Sequence, residues 1–522
     1  MGRIAIVGAG VGGLSAAALL AAEGHDVTVF ERAAAPGGKM RVLEVEGARV
    51  DAGPTVLTMR WVLESLFADC GASLEAFATL EPLPLLARHA WSREERLDLF
   101  ADLEASEAAV AAFAGPREAL RFRRFSAQAQ RIFAILRGPF LERAKPNLAQ
   151  LIARIGPLRV GDLLAIRPYE TLWAALSGQF RDPRLRQLFA RYATYAGSSP
   201  FACPATLMLI AHAEREGVWS VAGGMHALAR ALEALGARSG ARFRYGAPVS
   251  EIRQAGGRAV GVRLADGEEV HADAVVFNGD PGALGAGLLG PAGELAIAPV
   301  RPASRSLSAY AFAVHARTAG FPLDRHNVFF SRDYRAEFHD ITRKGRAPAA
   351  PTVYICAQDR GVAAFRAGER ERLLLLVNAP ALRERHWDDV EESEACERSA
   401  RAITAHCGLE LPDRFEAARL TTPRGFAALF PGSGGALYGQ ASHGWLASFL
   451  RPGAQTALPG LFLSGGGAHP GAGVPMAALS GRLAAQAVTR WLTRRRTSPS
   501  PRPPAATSGG TSTPSAQTVP TG

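Results

Sequence analysis

Cysteine is scarce. Five occur in 522 residues (Cys70, Cys203, Cys356, Cys396 and Cys407), an odd number, and no two form a C-x-x-C pair. This excludes a disulfide framework and a cysteine-based zinc site, and it fits a reducing compartment. A membrane-spanning run is missing too. The one apolar stretch of near-span length, residues 4–22 (IAIVGAGVGGLSAAALLAA), carries four glycines within residues 8–13, and only Arg3 precedes it as a charge. It reads as a buried strand followed by a helix, neither a span nor a signal peptide. No internal repeat is evident. Acidic residues are sparse in one window. Residues 116–195 hold fifteen Arg/Lys against five Asp/Glu, nearly the whole of the chain's formal charge of +11. Such a face suits an anionic lipid surface or plain solvation. Nucleic acid is excluded as a partner because the aromatic and glycine pattern of nucleic-acid modules is absent there.

What is present is a large apolar complement, 48% of the chain, enough for two to four domains or subdomains. Residues 3–8 read as a strand, 12–23 as a helix and 25–31 as a second strand, the β-α-β unit of a parallel sheet. Residues 61–71 look helical, and 88–102 read as two short strands around a polar turn. From about 105 to 215 the pattern is mostly helical, with breaks at Gly115-Pro116, Gly138-Pro139, Gly156-Pro157, Arg167-Pro168 and Ser199-Pro200. Residues 223–235 form a helix opened by two glycines. A β-meander is expected over 242–278, with turns at Gly256-Gly257 and Asp266-Gly267. Residues 304–316, 351–357 and 371–378 suit a second sheet, and 387–406 a helix. The tail, 497–522 (TSPSPRPPAATSGG and onward), lacks apolar periodicity and is expected to be disordered.

Gly8, Gly10 and Gly13 spell G-x-G-x-x-G between the first strand and first helix, with Gly12 inside the motif. The first glycine permits a tight turn, the second lets a pyrophosphate approach the backbone, and the third packs helix on strand. Glu31, 18 residues after Gly13 and followed by Arg32, is placed to accept hydrogen bonds from an adenosine ribose. A plain NAD domain has no reason for what comes next: Gly37-Gly38-Lys39, then DAGPTVLT with Thr55 and Val56. A cofactor that runs on past the pyrophosphate does. Near the C-terminus, GGGAHPGAGVP (465–475) packs five glycines and two prolines into eleven residues between a strand and a helix start.

These motifs resemble the flavoprotein superfamily of amine oxidases, protoporphyrinogen oxidase and phytoene desaturases. DAGPTVLTMRWVLESLF, LFARYATYAGSSPFACPATL, GGMHALARAL, HNVFFSRDY, TVYICAQDR and HPGAGVPMAALSGR are most similar to the carotenoid desaturase branch, and within it to bacterial 1-hydroxycarotenoid 3,4-desaturases (methoxyneurosporene dehydrogenases). The resemblance runs from residue 1 to about 492. It implies an α/β fold: a discontinuous, glutathione-reductase-like Rossmann FAD-binding domain (1–87, 216–290 and 455–493), and an inserted α+β substrate domain (88–215 and 291–454) with a helical membrane-facing part. FAD is then held by Gly8, Gly10, Gly12, Gly13, Glu31, Arg32, Gly38, Lys39, Thr55 and Val56. Val249 and Asn278 serve it from the meander, and Gly465, Gly466, Gly473, Val474 and Met476 from the C-terminal segment. That segment is expected to bring a helix N-terminus to the isoalloxazine ring rather than to hold a second nucleotide.

The same resemblance implies a desaturation. Two hydrogens leave adjacent carbons of a 1-hydroxy- or 1-methoxy-carotenoid, making the C3–C4 double bond, with FAD as the hydride acceptor. A lipid-soluble polyene implies a cytoplasmic protein held peripherally at the inner or intracytoplasmic membrane. Residues 130–176, which alternate arginines with apolar clusters, are the candidate contact. The electron acceptor stays open. So do a phytoene-type desaturase, an amine or porphyrinogen oxidase, a flavin-dependent carotenoid isomerase and a carotenoid carrier. No catalytic residue stands out. His469, in the C-terminal loop, is the weak candidate, outweighed by a histidine bonded to backbone. His89 with Trp91, and Arg191 with Tyr192 and Tyr195, are pocket candidates of lower standing.

Overall fold

A computed structural model describes residues 1–361, 365–366, 368–382, 389–412 and 418–497. All but Thr497 of the tail expected to be disordered lies outside the described residues.

A five-stranded parallel sheet gathers its strands from three distant stretches of chain. Its order is Leu461–Leu463, Ala274–Phe277, Arg3–Val7, Asp26–Phe30 and Arg242–Arg244. Side chains alternate across it, as the two-residue period of a strand requires. Ile4, Ile6, Val27, Val29, Ala274 and Val276 turn to one face, which is covered by the helices Val11–Ala22, Met225–Arg238 and Val474–Thr497. Ala5, Phe30, Val275 and Phe277 turn to the other, packing against Ile252, Val262 and Leu264 of a three-stranded antiparallel sheet. The near-uniform apolarity of the N-terminal stretch is explained by this double cover: in the helix Val11–Ala22, only Ala22 among the last residues lacks a place in the apolar core cluster beside Leu19, Leu20 and Ala21.

The expected meander is split. Its first and last runs contribute Arg242–Arg244 and Ala274–Phe277 to the parallel sheet, and only Val249–Ala255, Arg258–Leu264 and Glu269–His271 pair antiparallel. Short turns keep neighbours in sequence together, but the parallel sheet takes the fully buried AVVF segment. A second sheet of seven strands runs Arg419–Thr421, Ser308–Ala316, Glu371–Ala379, Val353–Ala357, His326–Phe329, Leu85–Ala90 and Arg96–Phe100. It contains the three strands expected from the later sequence and recruits the hairpin 85–100 by a parallel pairing with His326–Phe329. The boundary drawn after residue 87 therefore falls inside a strand.

Eight α-helices fill 103–215, and four of the five expected breaks separate elements. Gly138-Pro139 does not end its helix but lies in a π-turn, Arg137–Leu141, that continues it. The long helix Pro116–Leu136 buries Phe122, Phe125, Ile132 and Phe133 and turns its arginines outward. The two bodies are joined by Asp51. Its carboxylate accepts from the N–H groups of Met225 (2.7 Å) and His226 (3.2 Å), capping the helix Met225–Arg238, while its own N–H donates to Gln358 Oε1 (3.0 Å).

Candidate functional site

Gly8, with φ +102°, turns the chain from the first strand into the helix Val11–Ala22. The first-turn N–H groups of that helix have no acceptor within it, so they face outward as a ready anion site. The C-terminal loop comes to the same place. A Cβ on Gly12 would lie 2.5 Å from the Gly465 nitrogen. Asn278, at the end of its strand, joins the two loops: Nδ2 donates to Gly8 O (3.2 Å), and Oδ1 accepts from Ser464 Oγ (3.2 Å). The Gly37-Gly38 pair packs on this cradle, with Gly37 N–H donating to Ala9 O (2.8 Å). A Cβ on Gly38 would stand 3.2 Å from Gly10 Cα.

The carboxylate of Glu31 is buried and accepts from two main-chain amides, Ala9 N–H at 2.7 Å and Ala33 N–H at 2.8 Å. It thus braces the glycine turn. Each oxygen keeps a second lone pair, so acceptance from a ribose hydroxyl is still open to it. Gly246 N–H and Ala247 N–H donate to Ala33 O and Glu31 O, which runs the approach to Val249 alongside this carboxylate. Arg32 is exposed and turns away, donating to Leu429 O.

Toward the other end, Lys39 Nζ donates to Leu437 O (2.6 Å). Burial pulls its ammonium below the ordinary lysine pKa, with Asp280 opposing the shift and Arg451 adding to it. Arg451 donates to Tyr438 O (2.9 Å), Gln440 O (2.8 Å) and Gly466 O (2.7 Å), so one guanidinium ties the loop 437–440 to the C-terminal glycine loop. Burial lowers its pKa to about 10. Neither Arg451 nor Tyr438 was legible as a site residue, because nothing near LRPG marks it as a clamp. Gly466 belongs to this clamp. Gly473 has φ +110° and no atom within 4 Å of a built Cβ, so the backbone there presents an open, flat face. Val474 and Met476 follow in the first turn of the C-terminal helix, Val474 buried and Met476 half-buried. Thr55 Oγ1 is 2.7 Å from Tyr354 Oη, with Val56 half-buried beside it. A cleft of about 250 Å³ lies behind the clamp, lined by Asp280, Pro281, Gly439, Gln440, Pro452 and Gly467 among others. The glycines of the N-terminal turn do not line it, so it is not the pyrophosphate groove. An extended dinucleotide fits the residues present: bare first-turn amides for the pyrophosphate, Glu31 for the ribose, and the open backbone at Gly473 for a planar ring.

His469 is turned away from that face. Its Nε2 donates to Phe140 O (2.9 Å) and Arg143 O (3.0 Å), and its ring meets Phe140 edge-on. Burial lowers its pKa to about 4, so it is a neutral buttress between the C-terminal loop and the π-turn. His89 is likewise buried, with Nδ1 at 3.1 Å from Leu97 O. Trp91 donates to Gln187 Oε1 (2.8 Å) and stacks on Phe330. Arg191, Tyr192 and Tyr195 do come together, around the buried carboxylate of Glu214. Tyr195 Oη donates to Oε1 at 2.7 Å, and Tyr192 Oη donates to Oε2.

A parallel sheet entered through a glycine turn, an acid after its second strand, and a C-terminal loop closing on that turn define a dinucleotide-binding oxidoreductase fold. Comparison then places it. The chain belongs to the flavin-containing amine oxidoreductase family, whose model matches residues 11–489. It is 52% identical over 517 residues to the hydroxyneurosporene desaturase of Rubrivivax gelatinosus, covering 99% of this chain and 98% of that one. It is 48% identical to the hydroxyneurosporene desaturase of Cereibacter sphaeroides, over 94% of this chain and 98% of that one. Among solved structures, an oxidoreductase from Methanosarcina mazei shares the fold, with a TM-score of 0.57 at 17% identity over 94% of this chain and all of that one.

Gly12→Ala is expected to force the two glycine loops apart, costing about 1–3 kcal/mol of stability. Flavin bound per protein, read from the visible absorbance of the purified chain, should fall at least about tenfold. Full occupancy would contradict the placement of the loops. His469 yields a pH dependence. Its folded pKa of about 4 lies below the ordinary 6.5, so the unfolded chain binds the extra proton first as pH falls. Stability is then fully present above about pH 6.5 and lost on descent toward pH 4, by about 3 kcal/mol from this group. His469→Asn keeps a donor without a titrating group, and urea unfolding should show a shallower decline across that window.

Proposed function

We propose that this protein is an FAD-dependent desaturase of a 1-hydroxy- or 1-methoxy-carotenoid, removing two hydrogens to create the C3–C4 double bond. The 52% identity, nearly end to end, with a hydroxyneurosporene desaturase carries the reading. Bound FAD supplies the hydride acceptor. The chain supplies the rest. The segments that build the parallel sheet and its covering helices form the cofactor domain, with the first boundary before Leu85, the first-turn amides neutralise the pyrophosphate, and the Lys39 and Arg451 contacts hold the loop 437–440 against the C-terminal segment. The departing proton is on an allylic carbon already activated by the polyene, so orientation and exclusion of water count for more than a strong base. A weak base would contribute about 10²–10⁴-fold.

The substrate dissolves in bilayers, and the helical region offers a surface to meet one. Among the described residues, Leu158 is 95% exposed, Tyr169 65%, Leu164 58% and Val160 56%, and no residue of the helix Val160–Ala165 is buried. Many of the arginines there are already paired: Arg131 and Arg159 with Asp162, Arg167 with Glu170, Arg121 with Glu118. Apolar insertion therefore drives docking more than net charge does, each leucine contributing about 1.5–3 kcal/mol if fully buried. Trp445, Leu446 and Leu450 are exposed on the segment that leads to Gly453, which packs on Lys145 at the edge of the same region.

The test is anaerobic addition of hydroxyneurosporene to the flavoprotein in liposomes. The flavin absorbance should bleach as the polyene absorption moves to longer wavelength. A changed polyene with unbleached flavin would mean isomerisation and overturn the reading. In flotation with anionic vesicles, the double variant Leu158→Asp, Leu164→Asp should stay with the soluble fraction while the parent floats. Equal flotation of the two would remove the docking surface.

A further inference from the structure

Arg191 caps the helix Pro183–Ala190, and the next turn, Tyr192–Tyr195, follows directly. Its guanidinium lies over the rings of Tyr195 and Tyr354, 5.3 Å from each centroid. Burial alone would lower its pKa, but Tyr195 and Glu214 more than offset this and hold it above the ordinary value, so the group is a permanent cation. Glu214 balances the charge without consuming the donors, because both of its oxygens are taken by tyrosine hydroxyls. Among the described residues, the guanidinium makes one hydrogen bond, a long one from Nη1 to Tyr195 Oη at 3.4 Å. A guanidinium carries five N–H groups. Holding such a cation against buried rings with most of its donors unspent is costly unless water or a ligand takes them. These nitrogens are not among the buried polar atoms left without partners, and Arg191 is only half-buried, so its remaining donors stay accessible to a ligand.

Beneath the guanidinium stands Tyr354, whose Oη is held between Thr55 Oγ1 and His326 Nδ1, each at 2.7 Å. Thr55 belongs to the segment DAGPTVLT on the cofactor side. Arg191 thus stands one ring away from the flavin end. An oxygen on C1 stays close to the C3–C4 bond, since C1 and C3 are two bonds apart, so a donor near the flavin end is within its reach. We infer that Arg191 reads the substrate's oxygen, its guanidinium donating to the tertiary hydroxyl of the polyene end. The inference rests on the desaturase reading. A purely donating group complements an oxygen lone pair and leaves a hydrocarbon end unmatched, the arrangement that discriminates most strongly.

The test compares kcat/KM for hydroxyneurosporene and for 1,2-dihydroneurosporene and neurosporene, whose ends lack the oxygen, using the full flavoprotein in liposomes. The parent should prefer the hydroxylated polyene by at least about 100-fold. Arg191→Met should lower kcat/KM for hydroxyneurosporene by about 10- to 100-fold and leave turnover of the other two unchanged or raised. Arg191→Lys, which keeps the charge beside Glu214, should fall between. Equal losses on all three polyenes would overturn the assignment. Where Arg191→Met fails to retain flavin, Arg191→Lys and the parent's own preference decide: a parent that uses all three polyenes equally well overturns the role of Arg191 and leaves the desaturase reading standing. A parent whose flavin bleaches with none of these polyenes overturns the desaturase reading itself.

Discussion

The structure depends on the contact between two glycine loops that lie more than 450 residues apart. Asn278 sits at the junction, donating to the carbonyl of Gly8 and accepting from Ser464. Around it the backbones are so close that a Cβ on Gly10, Gly12, Gly13 or Gly465 would stand 2.7–3.0 Å or less from its side chain or from the opposite loop. Nothing larger than hydrogen fits at these four positions. The constraint also sets the topology. The last strand, Leu461–Leu463, must add to Ala274–Phe277 at the edge of the parallel sheet, and the C-terminal helix must pack on the first one, with Gly481 against Gly12. The long stretches between these strands, which build the seven-stranded sheet and the helical region, are then excursions from the parallel sheet.

The excursion that builds the seven-stranded sheet is tied back to the parallel sheet by a few polar contacts. Asp51 ties it to the first body through Gln358 and through the cap of the helix Met225–Arg238. Lys39 and Arg451 hold the loop 437–440 through main-chain carbonyls, so their charges are spent on positioning. Arg191 differs because its charge is balanced at one remove, through tyrosines, and its donors stay available.

Much of this was legible in the sequence. The G-x-G-x-x-G turn, the acid after the second strand and the GG pair are local motifs whose spacing follows from strand and helix geometry, and the structure puts them together. Arg32 and His469 were not legible in the same way. Arg32 turns to Leu429 O, a partner about 400 residues away, and His469 turns to carbonyls at 140 and 143. A residue beside a motif inherits its backbone position but not the direction of its side chain. The split of the meander and the recruitment of the hairpin 85–100 into the seven-stranded sheet were hidden for a related reason. Alternating apolarity states that a strand has a buried face, not which strand lies beside it.

By itself, then, the sequence determined the cofactor cradle and the near-continuous apolar strands of a doubly covered sheet, because both are written in short-range spacing. Tertiary structure alone decided that the C-terminal glycines close on the N-terminal ones, that Arg451 clamps rather than binds, and that Arg191 keeps its donors free. Those facts depend on which groups meet across hundreds of residues, where a hydrogen bond of 3 Å or a missing Cβ is decisive and no local pattern records it.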